Sequence, residues 1–447
     1  MKILSVDIGT TAMKMGVYQD SVQGLELVDS FSCDYDVNIY NDGLHGDIEP
    51  EKWQRAFLDG CRQLSEQVAA IEVISLSGTT PGLTAMGADG EALAPAILML
   101  DQRSRAQAAA IIERVGLAGL LEHSANVPVA GGCSLASILW IRENLPEVYH
   151  RTRTFGHSNS FFCGWLTGRT AIDPSSASLT ALYNTVANDL RWNKDILAAF
   201  DLTEDQLPPL CHAHQSPGRL KPELAALTGL RREPPVLIGG NDAVLAAYSV
   251  SIDSPGQIFN INGTCEITMI CLDRCLMSPN YNIRTHVLPD RWFSFYVMNA
   301  GGKAYEWFKS LFCSEMDNDT FFSEFVPSAI DRWLDRQSGV SYTPYLMGSR
   351  YSLEPLRAEF LGLTQETTRE EMLAAMVRGL CQYQHENLAE VGAELTLDNT
   401  IVVSGGALNE AIIRAKQRWM YNCDYRFEAE SSMRGAALLG LKYLQLC

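Results

Sequence analysis

Two strand–turn–strand patterns, far apart in this 447-residue chain, constrain its fold most strongly. Each is a run rich in β-forming residues, a tight turn containing Gly-Thr, and a returning run of the same kind. They span residues 2–18, with the turn Gly9-Thr10-Thr11, and residues 257–270, with the turn Gly263-Thr264. Because a recurring supersecondary unit is typical of duplication, the patterns predict two similar domains that present their Gly-Thr turns to a shared cleft.

The rest of the chain has the pattern of an α/β protein. Short apolar runs predict strands at residues 71–77, 95–100 and 400–404. Apolar periodicity predicts helices across residues 104–148 and after the capping box that begins at Thr368. Since strands and helices alternate, we expect mixed sheets flanked by helices.

Length and charge limit what the chain can do. A chain this long is expected to form two domains of roughly 200 residues each, and we predict them at residues 1–248 and 249–447. The net charge of −18 argues against a nucleic-acid partner, because no basic excess is available to pair with phosphates. No run of eighteen apolar residues occurs, so we expect a soluble cytoplasmic protein without a membrane partner. The oligomeric state is left open, a homodimer included.

The twelve cysteines include no Cys-x-x-Cys pair, so we expect reduced thiols rather than a zinc site or disulfides.

The segment VLIGGNDAVLAAYS, residues 236–249, holds the first candidate for chemistry. It predicts a buried strand that stops at Gly239 and Gly240, followed by Asp242 and an apolar helix. A carboxylate at the mouth of such a turn is placed to accept a proton from a bound hydroxyl. The alternative is that Asp242 only caps the helix, as most aspartates at such turns do.

A second glycine pair, Gly405-Gly406, follows the predicted strand at residues 400–404 and precedes Ala407 and Asn409 at a helix start. Backbone N–H groups without a neighbouring Cβ suit the close approach of a planar or anionic ligand. By itself, the segment favours an ordinary turn between a strand and a helix.

Taken in order, these segments resemble those of the FGGY carbohydrate kinases, within the actin, Hsp70 and hexokinase superfamily. The resemblance extends from Asp7 to Gly440. DIGTTAMK is similar to the family's first phosphate motif, with Lys14 at its basic position, and INGTCEI to the second. GGNDA matches the motif that carries the family's catalytic base, here Asp242. VVSGGALNEAIIRAKQRWMYNC and RGAALLG are similar to the adenosine-binding end.

The resemblance implies two actin-like (ribonuclease H-like) α/β domains with the active site in a cleft between them. It implies ATP and Mg²⁺ as cofactors, and transfer of the γ-phosphate to a hydroxyl of a sugar or polyol with Asp242 as general base. Asp7 and Asp242 are the implied Mg²⁺ ligands. The implied nucleotide contacts are Gly9, Thr10, Thr11, Lys14, Gly263, Thr264, Gly301, Gly302, Gly405, Gly406, Ala407 and Asn409.

The implied substrate contacts are Thr80, Pro81, Asp101, Arg103 and Asp242. Here the chain departs from the family, since Met99 replaces the Trp of the W-x-D-x-R pattern. At the position where this chain has the sequence GTTPG, xylulokinases have Gly-Gln-Met-His-Gly and glycerol kinases have an Arg-Glu pair. Thr80 can still bond a hydroxyl, but Pro81 cannot donate. Residues 344–364 resemble the late family signature without its Glu-Arg-Thr-Pro string. Neither xylulose nor glycerol is therefore implied.

Two other functions are weighed against a kinase. A catalytically weak relative that senses a sugar or nucleotide through domain closure is compatible with the Thr-Pro departure. Against it, Asp7, Asp242 and both Gly-Thr turns are all present, and a binding module has no need to keep them together. A sugar-responsive transcription regulator fits poorly, because the chain is acidic and lacks a basic helix-turn-helix segment.

Overall fold

The structure, a computed structural model, describes residues 1–22, 24–230, 232–349, 351 and 356–446. The chain divides into two compact units. The first contains residues 1–253, 283–292 and 430–447, and the second contains residues 254–282 and 293–429. Both contain strands and helices, as the sequence predicts.

The strands, in chain order, are β1 (Lys2–Ile8), β2 (Ala12–Ser21), β3 (Gly24–Asp34), β4 (Asn38–Tyr40), β5 (His45–Ile48), β6 (Val73–Gly78), β7 (Gly82–Met86), β8 (Ala96–Leu98), β9 (Thr154–Gly156), β10 (Gly218–Arg219), β11 (Pro235–Asn241), β12 (Ile258–Asn262), β13 (Glu266–Leu272), β14 (Asn282–Thr285), β15 (Trp292–Met298), β16 (Ser341–Thr343), β17 (Glu359–Leu361), β18 (Thr400–Ser404) and β19 (Asp424–Phe427).

The helices are α1 (Glu51–Gln63), α2 (Ser65–Val68), α3 (Arg105–Val115), α4 (Leu117–Ser124), α5 (Ser134–Asn144), α6 (Pro146–Arg151), α7 (Ser158–Thr167), α8 (Pro174–Ala177), α9 (Lys194–Ala199), α10 (Pro222–Thr228), α11 (Asp242–Ser249), α12 (Gly302–Phe312), α13 (Asn318–Thr320), α14 (Val326–Trp333), α15 (Arg369–Gly392), α16 (Glu410–Trp419) and α17 (Ser432–Leu446). A 3₁₀ turn at Glu204–Gln206 and a π turn at Phe321–Phe325 complete the helical elements of the described residues.

The main sheet of the first unit has the order β10-β11-β6-β1-β2-β3. β1 pairs antiparallel with β2, as its Gly-Thr turn predicts, and parallel with β6, which in turn pairs parallel with β11. Because parallel strands end at the same edge of a sheet, the segments after β1, β6 and β11 lie side by side. Those segments carry the predicted first phosphate turn, the Thr-Pro loop and Asp242.

The second unit repeats this arrangement. Five strands of its sheet run in the order β15-β13-β12-β18-β19, with β12 antiparallel to β13 and parallel to β18. β18 is parallel to β19, as β6 is parallel to β11 in the first unit. The two Gly-Thr hairpins therefore occupy the same position in two sheets of the same order, as duplication predicts.

Strand β11 differs from its prediction, because it does not stop at the two glycines. It continues through them to Asn241, with an irregular register against β6 between Leu237 and Gly240. Gly239 has a φ of +64°, and a Cβ there would lie 1.5 Å from the carbonyl oxygen of Leu76. The glycine thus permits a bulge that leads the chain directly into α11.

The second unit is also less continuous in sequence than the predicted domain of residues 249–447. Helix α17 belongs to the first unit, where it packs on β1, β6 and α11. Gly435 makes this close approach possible, since a Cβ there would lie 2.0 Å from the carbonyl oxygen of Leu245. The Ser5 hydroxyl also donates to the carbonyl of Met433 at 2.7 Å. β1 is buried along nearly its whole length, and α17 supplies part of that cover.

Within the described residues, no helix combines the length and apolar character needed to cross a membrane. The described cysteines are all free thiols.

Candidate active site

Asp7 lies in β1, one residue before its end, opposite Lys14 in β2. The Ser77 hydroxyl, on the neighbouring β6, donates to its Oδ1 at 2.6 Å. Burial raises the pKa of Asp7, while hydrogen bonds from Ser77 and Ser432 and the charge of Lys14 act in the opposite direction. A nearly buried carboxylate with a basic residue opposite is therefore held at the edge of the sheet.

The predicted first phosphate turn is tight. The Gly9 N–H donates to the Ala12 carbonyl at 3.0 Å, and a Cβ on Gly9 would lie 2.7 Å from that oxygen. Tyr35 donates its hydroxyl to the Gly9 carbonyl at 2.6 Å, and the Thr10 hydroxyl lies 3.1 Å from that of Thr79. Thr11 and Lys14 are exposed, so their polar groups remain accessible to a ligand.

Asp242 is not the residue that caps its helix. The cap of α11 is Asn241, whose Oδ1 accepts from the Val244 N–H at 3.1 Å. Asp242 Oδ1 accepts from the Ala243 N–H at 2.7 Å and from Asn241 Nδ2 at 3.0 Å. No hydrogen-bond donor of the described residues contacts its second oxygen, and the residue is partly exposed. One oxygen is thus fixed, while the other is available to a bound molecule.

The pKa of Asp242 is raised to about 6, first by burial and second by the negative charge of Asp7. The positive charge of Arg284 lowers it, as do the bonds from Ala243 and Asn241. Arg284 is buried and donates through NH1 to Asn241 Oδ1 at 2.8 Å. This arginine is not among the predicted site residues, because it comes from the separate segment of residues 283–292.

The same pair of carboxylates suits a divalent cation. The negative charge of Asp7 raises the pKa of Asp242, because the two carboxylates repel each other. A divalent cation bound between them would attract both. In the described ranges no cluster of three or more acidic, His or Cys side chains is placed to hold a metal. Two carboxylates fit Mg²⁺, because this ion keeps several of its waters and needs few protein ligands.

Thr80 and Pro81 lie beside the Asp242 turn. Thr80 is fully buried, and its hydroxyl oxygen accepts from Asn241 Nδ2. The Thr80–Pro81 peptide bond is cis. The preceding Thr79 carbonyl accepts from the Ser158 hydroxyl at 3.0 Å. The Thr-Pro loop and the candidate base are therefore connected through the side chain of Asn241.

Asp101 and Arg103 also lie together, but their polar groups bond mainly to each other and to further residues of the protein. Asp101 is fully buried, and it accepts from the Gly46 N–H at 2.7 Å and from the N–H and Nε of Arg103, both at 2.8 Å. Arg103 NH2 donates to Asp47 at 2.7 Å. The guanidinium lies over the Trp140 ring, 5.0 Å from its centroid. Asp47 and Trp140 were not predicted as site residues, since only this long-range packing connects them with Arg103.

In the second unit, the predicted nucleotide segments meet around the β12–β13 turn. The Gly302 N–H, at the start of α12, donates to the Gly263 carbonyl at 2.8 Å, and the Lys303 N–H to the Thr264 carbonyl at 3.3 Å. A Cβ on Gly301 would lie 2.7 Å from the Glu266 nitrogen. The glycines thus allow the helix start to lie directly against the turn.

The glycine pair after β18 reaches the same turn. Gly405 has a φ of +110°, and a Cβ there would lie 2.1 Å from the Asn262 carbonyl oxygen. That carbonyl accepts from the Ala407 N–H at 3.4 Å, while Gly406 has open space around it. Asn409 is the cap of α16, accepting from the Ile412 N–H at 2.9 Å. Its side chain therefore has a structural role in addition to any contact with a nucleotide.

A buried ion pair lies beneath these segments. Lys416 of α16 donates through Nζ to Glu266 Oε1 at 2.5 Å, and both side chains are almost completely buried. Asn260 Nδ2 also donates to that oxygen at 3.0 Å. A small cavity is lined by both charged residues and by Gly301, Gly302 and Ala407. The sequence did not predict this pair, since its members are far apart in the chain.

Part of the late signature, at Arg350 and residues 352–355, lies outside the described residues.

Comparisons with known proteins agree with this architecture. The sequence model of the FGGY family of carbohydrate kinases, N-terminal domain, matches residues 2–249. The chain is 26% identical over 447 residues to xylulose kinase of Staphylococcus xylosus, covering 98% of this chain and 90% of that protein. It is 25% identical over 457 residues to gluconokinase of Bacillus subtilis (strain 168), covering 98% and 87%. The crystal structure of ligand-bound xylulose kinase from Lactobacillus acidophilus matches with a TM-score of 0.90 at 20% identity, covering 100% of this chain and 90% of that chain. The fold is therefore the two-domain actin-like fold of these enzymes.

Proposed function

Because this chain belongs to the FGGY family of carbohydrate kinases and is a sugar kinase, we propose that it transfers the γ-phosphate of ATP to a hydroxyl of an uncharged sugar or polyol. Asp242 acts as the general base. Asp7 and Asp242 hold Mg²⁺ largely through water, the Gly-Thr turns bind the phosphates of ATP, and the glycine pair Gly405-Gly406 binds its nucleoside.

The observation that supports the proposal most directly is the hydrogen bonding and the raised pKa of Asp242. Asn241 caps the helix in its place, so Asp242 has one oxygen bonded to Ala243 and Asn241 and the other available. A base works best when its pKa lies close to the working pH, and about 6 meets that condition. At neutral pH the carboxylate is ionised and still basic enough to accept the hydroxyl proton as that oxygen attacks phosphorus.

The charges near the Thr-Pro loop favour an uncharged acceptor. Arg103 is engaged with the carboxylates of both Asp47 and Asp101, so its positive charge is already balanced. A sugar acid such as the substrate named for gluconokinase would bring a carboxylate that Arg103, already paired with Asp47 and Asp101, is not free to bind. A neutral ketose or polyol adds no charge, and hydroxyl groups match the donors and acceptors of this loop.

The nucleotide would be bound mainly by backbone groups. Thr10 and Thr11 in the first unit and Thr264 in the second offer N–H groups that suit phosphate oxygens, whereas the N–H groups of Gly9 and Gly263 donate within their own turns. Gly405 and Gly406 allow the nucleoside to approach the backbone closely. Lys14 offsets negative charge on the phosphoryl oxygens. Bound Mg²⁺ supplies charge neutralisation at the phosphates.

The test is ADP release with a panel of D-xylulose, other ketoses, glycerol, further polyols and gluconate. We expect saturable, substrate-dependent ADP release with at least one neutral acceptor and none with gluconate. Asp242→Asn, run beside the wild type, should abolish transfer while leaving ATP binding nearly intact. Comparable turnover in that variant on a verified substrate contradicts the base assignment. If no acceptor stimulates ADP release although ligands stabilise the protein, the chain is a sensor.

A further inference from the structure

We infer that Ser175 is a positioning residue for the proposed reaction: its hydroxyl connects the buried Asp173 to the backbone of the turn that carries Asp242. This inference rests on the proposed function, since it concerns the placement of the proposed base. Neither residue belongs to the predicted site.

The connection consists of three short steps, all within the first unit. Asp173 Oδ2 accepts from the Ser175 N–H at 2.8 Å and also from the Ser175 hydroxyl. The same hydroxyl oxygen accepts from the backbone N–H of Asn241 at 3.0 Å. Asp173, Ser175 and Asn241 are all fully buried. No water is needed to complete the chain, because each bond is direct.

The orientation of the Ser175 hydroxyl is determined by its two partners. Its single hydrogen is donated to the Asp173 carboxylate, so its oxygen lone pairs face the Asn241 N–H. A hydroxyl whose hydrogen is held by a carboxylate is a better acceptor, since hydrogen bonds in a chain polarise one another. Burial raises the pKa of Asp173, and the bonds from Ser175 and Ser176 oppose that effect.

Gly240 shows how closely the turn fits this pair. A Cβ added to Gly240 would lie 2.9 Å from Val287 Cγ1, 3.0 Å from Ser175 Oγ and 3.3 Å from Asp173 Oδ2. The second glycine of the GGND segment therefore allows the turn to pack closely against Val287, Ser175 and Asp173. The first, Gly239, is required by the bulge against β6.

Displacement of Asn241 would reach the candidate base directly. Its Nδ2 donates to Asp242 Oδ1 and to the Thr80 hydroxyl, and its Oδ1 caps α11. The position of Asp242 therefore depends on a residue whose own backbone is anchored by Ser175. A base displaced by about 1 Å loses rate by factors on the order of 10 to 100.

The neighbouring Ser176 provides a matched control. It lies in the same short helix, it is equally buried, and it also bonds Asp173. Its hydroxyl accepts from Asn159 Nδ2 at 3.4 Å and makes no hydrogen bond with Asn241 among the described residues. Ser175→Ala and Ser176→Ala thus remove the same atom from adjacent buried positions, and only the first removes the acceptor of the Asn241 N–H.

The experiment measures kcat and KM of both variants on the best acceptor from the panel, together with their thermal unfolding. We expect Ser175→Ala to lower kcat by about tenfold or more, with a smaller change in the KM for ATP or for the acceptor. The kcat of Ser176→Ala should stay within about twofold of the wild-type value. Equal kcat values in the two alanine variants overturn the inference. So does a loss in Ser175→Ala that is explained by its folded fraction alone.

Two further variants keep the test decisive. Ser175→Cys retains an atom that accepts hydrogen bonds weakly, so its kcat should lie between those of Ser175→Ala and the wild type. It replaces Ser175→Ala as the test if the alanine variant does not fold, and wild-type kcat in it then refutes the inference. Asp242→Asn separates the two hypotheses. Turnover in that variant refutes the proposed base, whereas an inactive Asp242→Asn with equal serine variants refutes only the role of Ser175.

Discussion

Replacing Asp242 by asparagine should stabilise the ligand-free protein in a pH-dependent manner while it abolishes transfer. Burial and the charge of Asp7 raise the pKa of Asp242 from its usual 3.8 to about 6. One pKa unit corresponds to about 1.4 kcal/mol, so the ionised carboxylate costs the folded state about 3 kcal/mol at neutral pH. Asparagine has nearly the same shape and no charge, so it does not incur this cost.

The sign of the pH dependence follows from proton binding. The folded state binds the Asp242 proton more tightly than the unfolded state, so wild-type stability falls as pH rises from about 4 through about 6. The asparagine variant lacks this titration. Its advantage in free energy of unfolding should therefore be near its maximum of about 3 kcal/mol at pH 8 and should shrink towards pH 4.5.

Urea unfolding without Mg²⁺ or nucleotide, at several pH values from 4.5 to 8, measures this advantage. Asp29→Asn is the matched control, because Asp29 is exposed on β3 of the same unit. It should leave stability within about 0.5 kcal/mol of the wild type, as surface substitutions usually do. Two results would refute the idea that ionised Asp242 destabilises the folded state. One is an Asp242→Asn protein that is no more stable than the wild type at pH 8. The other is an advantage in free energy of unfolding that is as large at pH 4.5 as at pH 8.

Three further predictions concern neighbouring features. Arg284→Met should move the acid limb of the kcat/KM profile up by about one pH unit, because the arginine charge lowers the pKa of the candidate base; Arg284→Lys should leave the limb near its wild-type position. Gly405→Ala should raise the KM for ATP and lower the melting temperature, since its φ is +110°; Gly406→Ala, in open space, should leave the melting temperature nearly unchanged. Lys416→Met should destabilise the second unit by about 3–5 kcal/mol, because it leaves Glu266 buried without its cation. The double variant with Glu266→Gln should recover much of that stability, as measured by urea unfolding. No recovery would mean that packing, not charge, is decisive.

What the sequence predicted well is what local pattern determines. The β1–β2 and β12–β13 hairpins follow from alternation and a glycine turn, and strands such as β18 have the predicted bounds. Asp242 was placed correctly at the junction of a strand and a helix. Each of these predictions depends on residues close together in the chain, where the hydrophobic period and turn chemistry act directly.

What the sequence did not predict depends on contacts between distant segments. Nothing local to α17 shows that it packs on β1 and β6 of the first unit rather than within the second. Arg284 is equally difficult to predict from local sequence, since it bonds Asn241 from a segment that follows β13 in the chain. Such positions are set by packing between elements, and one sequence without its fold contains no periodic signal for them.

The alternative hypothesis, that Asp242 only caps the helix, is excluded because the preceding residue is the cap. A carboxylate could in principle cap a helix with one oxygen and accept a proton with the other, but at this turn the cap is a different residue. Asn241 bonds the Val244 N–H with its Oδ1 and the Thr80 hydroxyl with its Nδ2. Asp242 then keeps one oxygen available without loss of the helix start. The two adjacent residues therefore divide the structural task and the proposed chemical task, so the start of α11 does not depend on the protonation state of Asp242.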